Sequence, residues 1–255
     1  MCPYGFVLQG VRVCSAPVGA AEIAVGFLDR FGRRCELPVA EAGNVAFEEL
    51  SPLAAQVAYP GRKSFVTTAW ASATDQSLSC GSLRQQHCAM VLDRDPAVGL
   101  RSAGAMELRW SRDGRRRTLR PAFVALRSGL REVICVRPEQ PGEAWREAQE
   151  VLAVAAGAAG WQVGVVEPPT GVELDNLALL YAARSPRWLA EGQEDLLVRR
   201  FASPRTIRSG VGVAGLPLHQ GIDLAYHLIW AGRLHIDSDV LLTPASTAWA
   251  VTDTA

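Results

Sequence analysis

Three groups of side chains have types and spacings from which chemistry is built. Cys80, His87 and Cys88 form a C-x6-H-C spacing, with Cys135 as a further thiol. Such soft ligands suit zinc, but no CxxC pair accompanies them, so small apolar thiols in a packed interior are the better expectation. A nucleophilic Cys135 beside Arg137 is disfavoured because its apolar strand raises a thiol pKa. The second group is basic. From Arg101 to Arg120 seven arginines stand against only Glu107 and Asp113. Arg109, Arg112, Arg115, Arg116, Arg117 and Arg120 are the candidate contacts to DNA phosphates, each adding counterion-release free energy. The bland alternative for Arg115 to Arg117 is a solvated hairpin tip. The third group, Gly210 to Gly215, is glycine-rich but follows no suitable strand, and is expected to link two helices. No P-loop and no recognisable Ser-His-Asp set is present.

These residues need a scaffold. At 255 residues, 49% apolar and 20% charged, the chain can bury a large core as two or three compact units. Its 26 basic and 26 acidic residues cancel, which argues against a uniformly basic nucleic-acid binder and leaves charge distribution to decide. Six scattered cysteines favour reduced thiols over a disulfide framework. No apolar run of membrane-spanning length and no secretory leader is apparent, so a cytoplasmic protein without membrane association is expected.

The stretch from Arg109 to Pro138 predicts two consecutive hairpins, turning at Asp113-Gly114 and Ser128-Gly129. Leu119, Phe123 and Ala125 mark the strand between the turns, and Glu132 to Val136 is apolar enough for a strand buried on both faces. A helix over 142–159 and a strand over 161–166 complete a mixed sheet with a crossover helix. Earlier, 22–29, 35–40, 44–50 and 65–71 are candidate strands, Tyr59 to Lys63 is a turn and internal seam, and 79–92 is a helix. Later, 172–183, 193–201 and 220–231 are candidate helices, with short strands at 234–237 and 240–242. The expected fold class is α/β (α+β), with a β-rich unit at 1–65, a core at 66–190 and a helical unit with a β-wing at 191–255.

From Glu22 to Thr247 the chain resembles the TnsA-like endonuclease subunits of heteromeric transposases, which carry a restriction-endonuclease-like, PD-(D/E)xK-type core and a winged-helix tail. The likeness rests on Phe31-Gly32-Arg33-Arg34, Phe47-Glu48-Glu49-Leu50-Ser51-Pro52, Tyr59-Pro60-Gly61-Arg62-Lys63-Ser64-Phe65 and Trp70-Ala71-Ser72-Ala73-Thr74. It continues through Leu92-Asp93-Arg94-Asp95-Pro96, Val136-Arg137-Pro138, Ala159-Gly160-Trp161 and Ala183-Arg184-Ser185-Pro186-Arg187, and ends on His227 to Leu234 with Asp237. The resemblance implies magnesium held by a glutamate in the first helix, an aspartate in the second strand and a polar residue two before a basic one in the third. In this chain those catalytic positions are Gly81, Ala122 and Cys135, and only Arg137 keeps its character. Cysteine is a poor partner for magnesium. Glu132 should face away from Cys135, Glu107 and Glu139 sit near strand ends, and Asp75 is the remaining candidate for a displaced ligand.

The expectation is therefore a nuclease fold with little or no cleavage, no bound metal and no small-molecule cofactor, partnering double-stranded DNA and transposase and ATPase proteins. Its rivals are a magnesium-dependent endonuclease with displaced ligands and a structural adaptor without DNA affinity. In the C-terminal unit Arg199, Arg200, Arg205, Arg208 and Arg233 could serve a winged helix, and His219, His227 and His235 are expected in core or surface roles.

Overall fold

The computed structural model describes residues 5–8, 11–14, 18–54, 60–61, 64–185 and 192–251. The chain forms two compact units, Met1–Glu167 and Pro168–Ala255. The sequence suggests seams near 65 and 190 instead. Much of the first lies in 55–59 and 62–63, and the second in 186–191, outside the described residues. Residues 22–40 do not form a unit apart, because their strands pair with the arginine hairpin.

In the first unit, β1 (Gly5–Leu8) and β2 (Val11–Cys14) pair as a hairpin, as do β5 (Thr67–Ala71) and β6 (Gln76–Cys80). One four-stranded sheet has the order β4-β3-β8-β9, built from β3 (Ala24–Leu28), β4 (Arg34–Pro38), β8 (Met106–Arg112) and β9 (Arg115–Leu119). The other has the order β12-β11-β10-β7, from β7 (Val98–Ala103), β10 (Phe123–Arg127), β11 (Leu130–Val136) and β12 (Gln162–Val166). Helix α1 (Leu83–Arg94) precedes β7, and α2 (Glu143–Ala159) carries β11 across to β12, which runs parallel to it.

Both expected hairpins form, but not as neighbours in one meander. Asp113, Gly114, Ser128 and Gly129 all take the positive φ these turns require. The ladder β8–β9 continues almost in register into β7–β10, so 98–127 is one long hairpin that changes sheets halfway. Its corner is Gly104 on one arm and Arg120-Pro121-Ala122 on the other. Gly104 supplies φ +62°, and Pro121 lacks the N–H a ladder needs. Across the corner the Gly104 amide donates to the Ala122 carbonyl at 3.1 Å, and the Ala122 amide to that of Ile134 at 2.8 Å. Leu119 and Phe123 thus belong to different sheets, a bend that alternation alone does not reveal.

The sheet containing β10 and β11 is covered on both faces. Val124, Val133 and Cys135 pack with Val151, Leu152 and Ala155 of α2. Phe123, Ala125 and Ile134 pack with Cys88, Ala89 and Leu92 of α1. The expected strand at 44–50 is instead two short 3-10 turns, Val39–Asn44 and Phe47–Glu49. Phe47 enters the core edge-on to Phe27 and Trp161 at 5.4 and 5.6 Å, with Val45 and Leu50 packed against that core, while Glu48 chelates Arg131 at 2.7 and 3.0 Å. No period-2 face remains to pair. Helix α1 begins later than expected because Ser82 caps it, its hydroxyl accepting from the Gln85 amide at 3.1 Å.

The second unit holds α3 (Gly171–Ala182), α4 (Gln193–Arg200), β13 (Arg205–Thr206), α5 (Ile207–Ala214), α6 (Leu218–Trp230), β14 (Leu234–Ile236) and β15 (Thr247–Ala250). Its sheet has the order β13-β15-β14. Two expectations fail here. Gly210 to Ala214 is helix rather than linker, because its glycines permit close packing: a Cβ on Gly210 would lie 2.3 Å from the Phe201 ring, and one on Gly221 would lie 2.2 Å from Val211. No strand forms at 240–242. Buried Asn176 takes those backbone groups, donating to the Ser238 and Val240 carbonyls at 3.2 and 2.9 Å and accepting from the Leu242 amide at 2.7 Å. The strand comes later, at Thr247. Among the described residues no helix is long and apolar enough to cross a membrane.

Candidate functional site

A cavity of about 300 Å³ opens at the corner where the long hairpin changes sheets. Its walls include Ser82 and Gln85 from the start of α1, Arg120, Pro121 and Ala122 from the corner, Cys135 from β11 and Trp145 from α2. Ala122 and Cys135, far apart in sequence, therefore share one space, and Gly81 is tied to it. The Gly81 amide donates to Gln85 Oε1 at 2.8 Å, and Gln85 Nε2 donates to the Ala122 carbonyl at 3.3 Å. A single side chain thus bridges Gly81 and Ala122.

The other predicted residues fall elsewhere. Arg137 follows β11, where its Nε donates to Glu167 at 2.8 Å and its carbonyl accepts from Arg84 Nε at the same distance. Glu132 takes the opposite face from Cys135, as alternation requires, and accepts from Arg127 Nε at 3.0 Å. Asp75 is exposed in the β5–β6 turn with φ +55°, and Glu139 is an exposed partner of Arg84 at 3.8 Å.

Thiol chemistry finds no support in this geometry. Burial pushes the Cys135 thiol up to about 11, only partly offset by a hydrogen bond with Gln149, and burial likewise lifts Cys80 to about 11 and Cys88 to about 12. Cys80 and Cys88 pack in the α1-side core and Cys135 in the α2-side core, so the sheet separates the thiols that a zinc site would have to bring together. Among the described residues no group of three His, Cys, Asp or Glu side chains is placed to hold a metal. The cavity itself offers a hydroxyl, an amide, a thiol and an arginine, and no carboxylate. Magnesium needs hard, anionic oxygens, and this donor set fits it poorly.

The arginines divide sharply. Glu107, 2% exposed, gathers three of them: Arg34 Nη2 at 2.8 Å, Arg120 Nε at 2.8 Å, and Arg109, which also pairs with Glu36. Burial alone would raise the Glu107 pKa, but hydrogen bonds and charge from Arg120 and Arg109 outweigh it and hold the carboxyl below its usual range. Gly26 makes room for this cluster, since a Cβ there would lie 3.3 Å from Glu107 Cγ. Arg112 is 3.8 Å from Glu147, which also accepts from the Trp110 indole at 2.9 Å. Arg115, Arg116 and Arg117 are exposed on β9, the edge of their sheet, and make no ion pair among the described residues.

Sequence reasoning missed Gln85, Trp145 and the Glu107 cluster. The first left a signal, because Ser82-x-x-Gln85 has capping-box spacing. The others left none, since they meet only once the hairpin has bent. No protein-family model and no curated protein matches this chain.

Proposed function

We propose that the protein is a TnsA-like transposase subunit whose first unit binds double-stranded DNA on a restriction-endonuclease-like scaffold that no longer cleaves. The observation that carries this reading is the cavity. With the β8–β9 excursion set aside, the order α1-β7-β10-β11-α2-β12 and the strand order β7-β10-β11-β12 support the reading as a PD-(D/E)xK core. Of the positions where such a core would hold acids, Ala122 and Cys135 line the cavity and Gly81 is tied to it through Gln85, and none brings a carboxylate.

DNA would bind through the β9 edge, where Arg115 and Arg117 share one face, Arg116 takes the other, and all three are exposed to reach phosphates. The second unit supports the remainder of the reading. After α3, its run of helix, strand, two helices and two strands, with β15 between β13 and β14, supports the reading as a winged helix. Its last helix, α6, buries seven of its thirteen residues within the unit, so its exposed N-terminal turn is the part open to DNA or to a transposase or ATPase partner.

The experiment combines two readouts on the full chain. Binding to duplex DNA should weaken steeply with salt, and supercoiled DNA should remain un-nicked with magnesium or manganese. Nicking that disappears when Asp75 or Glu139 is neutralised would replace this reading with that of an endonuclease using displaced ligands. Absence of any DNA binding would leave a structural adaptor.

A further inference from the structure

The β3–β4 turn presents a feature that phosphate contacts do not explain. Phe31 is 66% exposed at its tip, although an aromatic ring in water is unfavourable. The turn is built to hold it there. Asp29 Oδ1 accepts from the Phe31 and Arg33 amides, both at 2.9 Å, and Asp29 Oδ2 accepts from Arg33 Nε at 2.9 Å. The Asp29 amide donates to the Arg33 carbonyl at 2.8 Å, and Gly32 takes the φ of +77° that closes the loop. The guanidinium carbons of Arg30 and Arg33 lie 4.8 and 5.2 Å from the ring centroid, one from each side of the sequence.

The register fixes where this tip points. Phe27 pairs with Met106, and Leu108 with Leu119, so the turn lies at the same end of its sheet as Gly104 and Arg120, the corner that forms the cavity. The Asp113-Gly114 turn is at the opposite end. Five arginines (Arg30, Arg33, Arg34, Arg109, Arg120) against Asp29, Glu36 and Glu107 leave this end with net positive charge.

We propose that Phe31 is a wedge that enters a base step of duplex DNA while Arg30 and Arg33 contact the flanking phosphates. The proposal rests on the DNA-binding reading above. A rigid apolar tip between cations is how proteins unstack and kink a duplex, and a polyanion complements this end of the sheet better than a neutral protein surface would. The ring then recovers on binding the burial it lacks in the free protein.

The test is permanganate reactivity of thymines in a thymine-rich duplex, which reports unstacking wherever it occurs, alongside affinity by anisotropy. The wild-type chain should bind and make a localised set of thymines hyperreactive. Phe31→Ala should abolish hyperreactivity at saturation and weaken binding about tenfold, whereas Phe31→Leu should retain most of both. The triple change of Arg115, Arg116 and Arg117 to alanine should weaken binding yet leave hyperreactivity at saturation, separating the wedge from the β9 edge. Binding by the wild type without hyperreactivity, or hyperreactivity undiminished in Phe31→Ala, overturns the wedge alone. No wild-type binding overturns the wedge together with the DNA reading. Phe31→Ala that spares the DNA complex but dissolves a wild-type self-association in sedimentation assigns the turn to protein contact and also overturns it.

Discussion

The strand β8 and its partner β9 carry the same residue type to two different fates. Arg109, with Arg34 and Arg120, converges on the buried Glu107, whereas Arg115, Arg116 and Arg117, a few residues along the same hairpin, stand open at an edge. Arginine density in the sequence does not distinguish them. What does is register: Glu107 lies across from Gly26, where the absent Cβ leaves room for its carboxylate and the Arg109 guanidinium to converge, and the Arg115 end has no acid opposite it. One cluster is architecture at the bend of a hairpin, and the other is available for a ligand.

That contrast can be broken most strongly at Glu107. Replacing it with glutamine removes the shared partner of three arginines, and the loss should be about 3 kcal/mol, moderated by their exposure. Chemical denaturation of the full chain measures it. The same change frees positive charge, so duplex affinity should rise as stability falls. The pH dependence follows from the sign of the shift. Glu107 is ionised more readily in the folded state than in the unfolded chain. Its stabilising effect is complete above the ordinary carboxylate pKa and is lost as pH drops through the folded value. Denaturation between about pH 5 and pH 3 should therefore be steeper in wild type than in Glu107→Gln.

The opposite pattern is expected at the edge. Changing Arg115, Arg116 and Arg117 to alanine should leave the unfolding midpoint unchanged, weaken duplex binding roughly a hundredfold near physiological salt, and flatten the log–log salt dependence by almost three. Fluorescence anisotropy across a salt series reads both. A midpoint shift as large as that of Glu107→Gln would erase the distinction.

A smaller effect tests the glycines in the second unit. Gly210→Ala drives a methyl group into the Phe201 ring, and about 2 kcal/mol of destabilisation is expected in thermal unfolding. Gly212→Ala, with open space at its Cβ, should be neutral or slightly stabilising. The smallest effect concerns the thiols. At pH 8, peptide-level alkylation of the native chain should label half-exposed Cys35 and spare Cys80, Cys88 and Cys135, because burial keeps those three protonated.

Much of the first unit was legible in the sequence. Period-2 patterning and the Asp113-Gly114 and Ser128-Gly129 turns located both hairpins, and the apolar strand at Glu132 to Val136 found its crossover helix and parallel neighbour. The bend at Gly104 and Pro121 was not legible, because alternation continues through Leu119 and Phe123 while the strands change partners. The fate of Gly210 was hidden for a related reason: a glycine that admits an aromatic ring looks, in sequence, like a glycine that loosens a loop. Within the candidate site, Ala122 and Cys135 line one cavity, whereas Gln85, which bridges Gly81 to Ala122, acts through a contact across 37 residues that no local pattern records.

We propose that the corner cavity sits where a nuclease would hold its metal and lacks the acids to do so. It is tested most directly by incubating the purified full chain with supercoiled plasmid and magnesium or manganese, at protein concentrations that saturate DNA binding. The expected result is bound but intact supercoiled plasmid. Metal-dependent nicking that copurifies with the chain, and that a single carboxylate substitution removes, would contradict it.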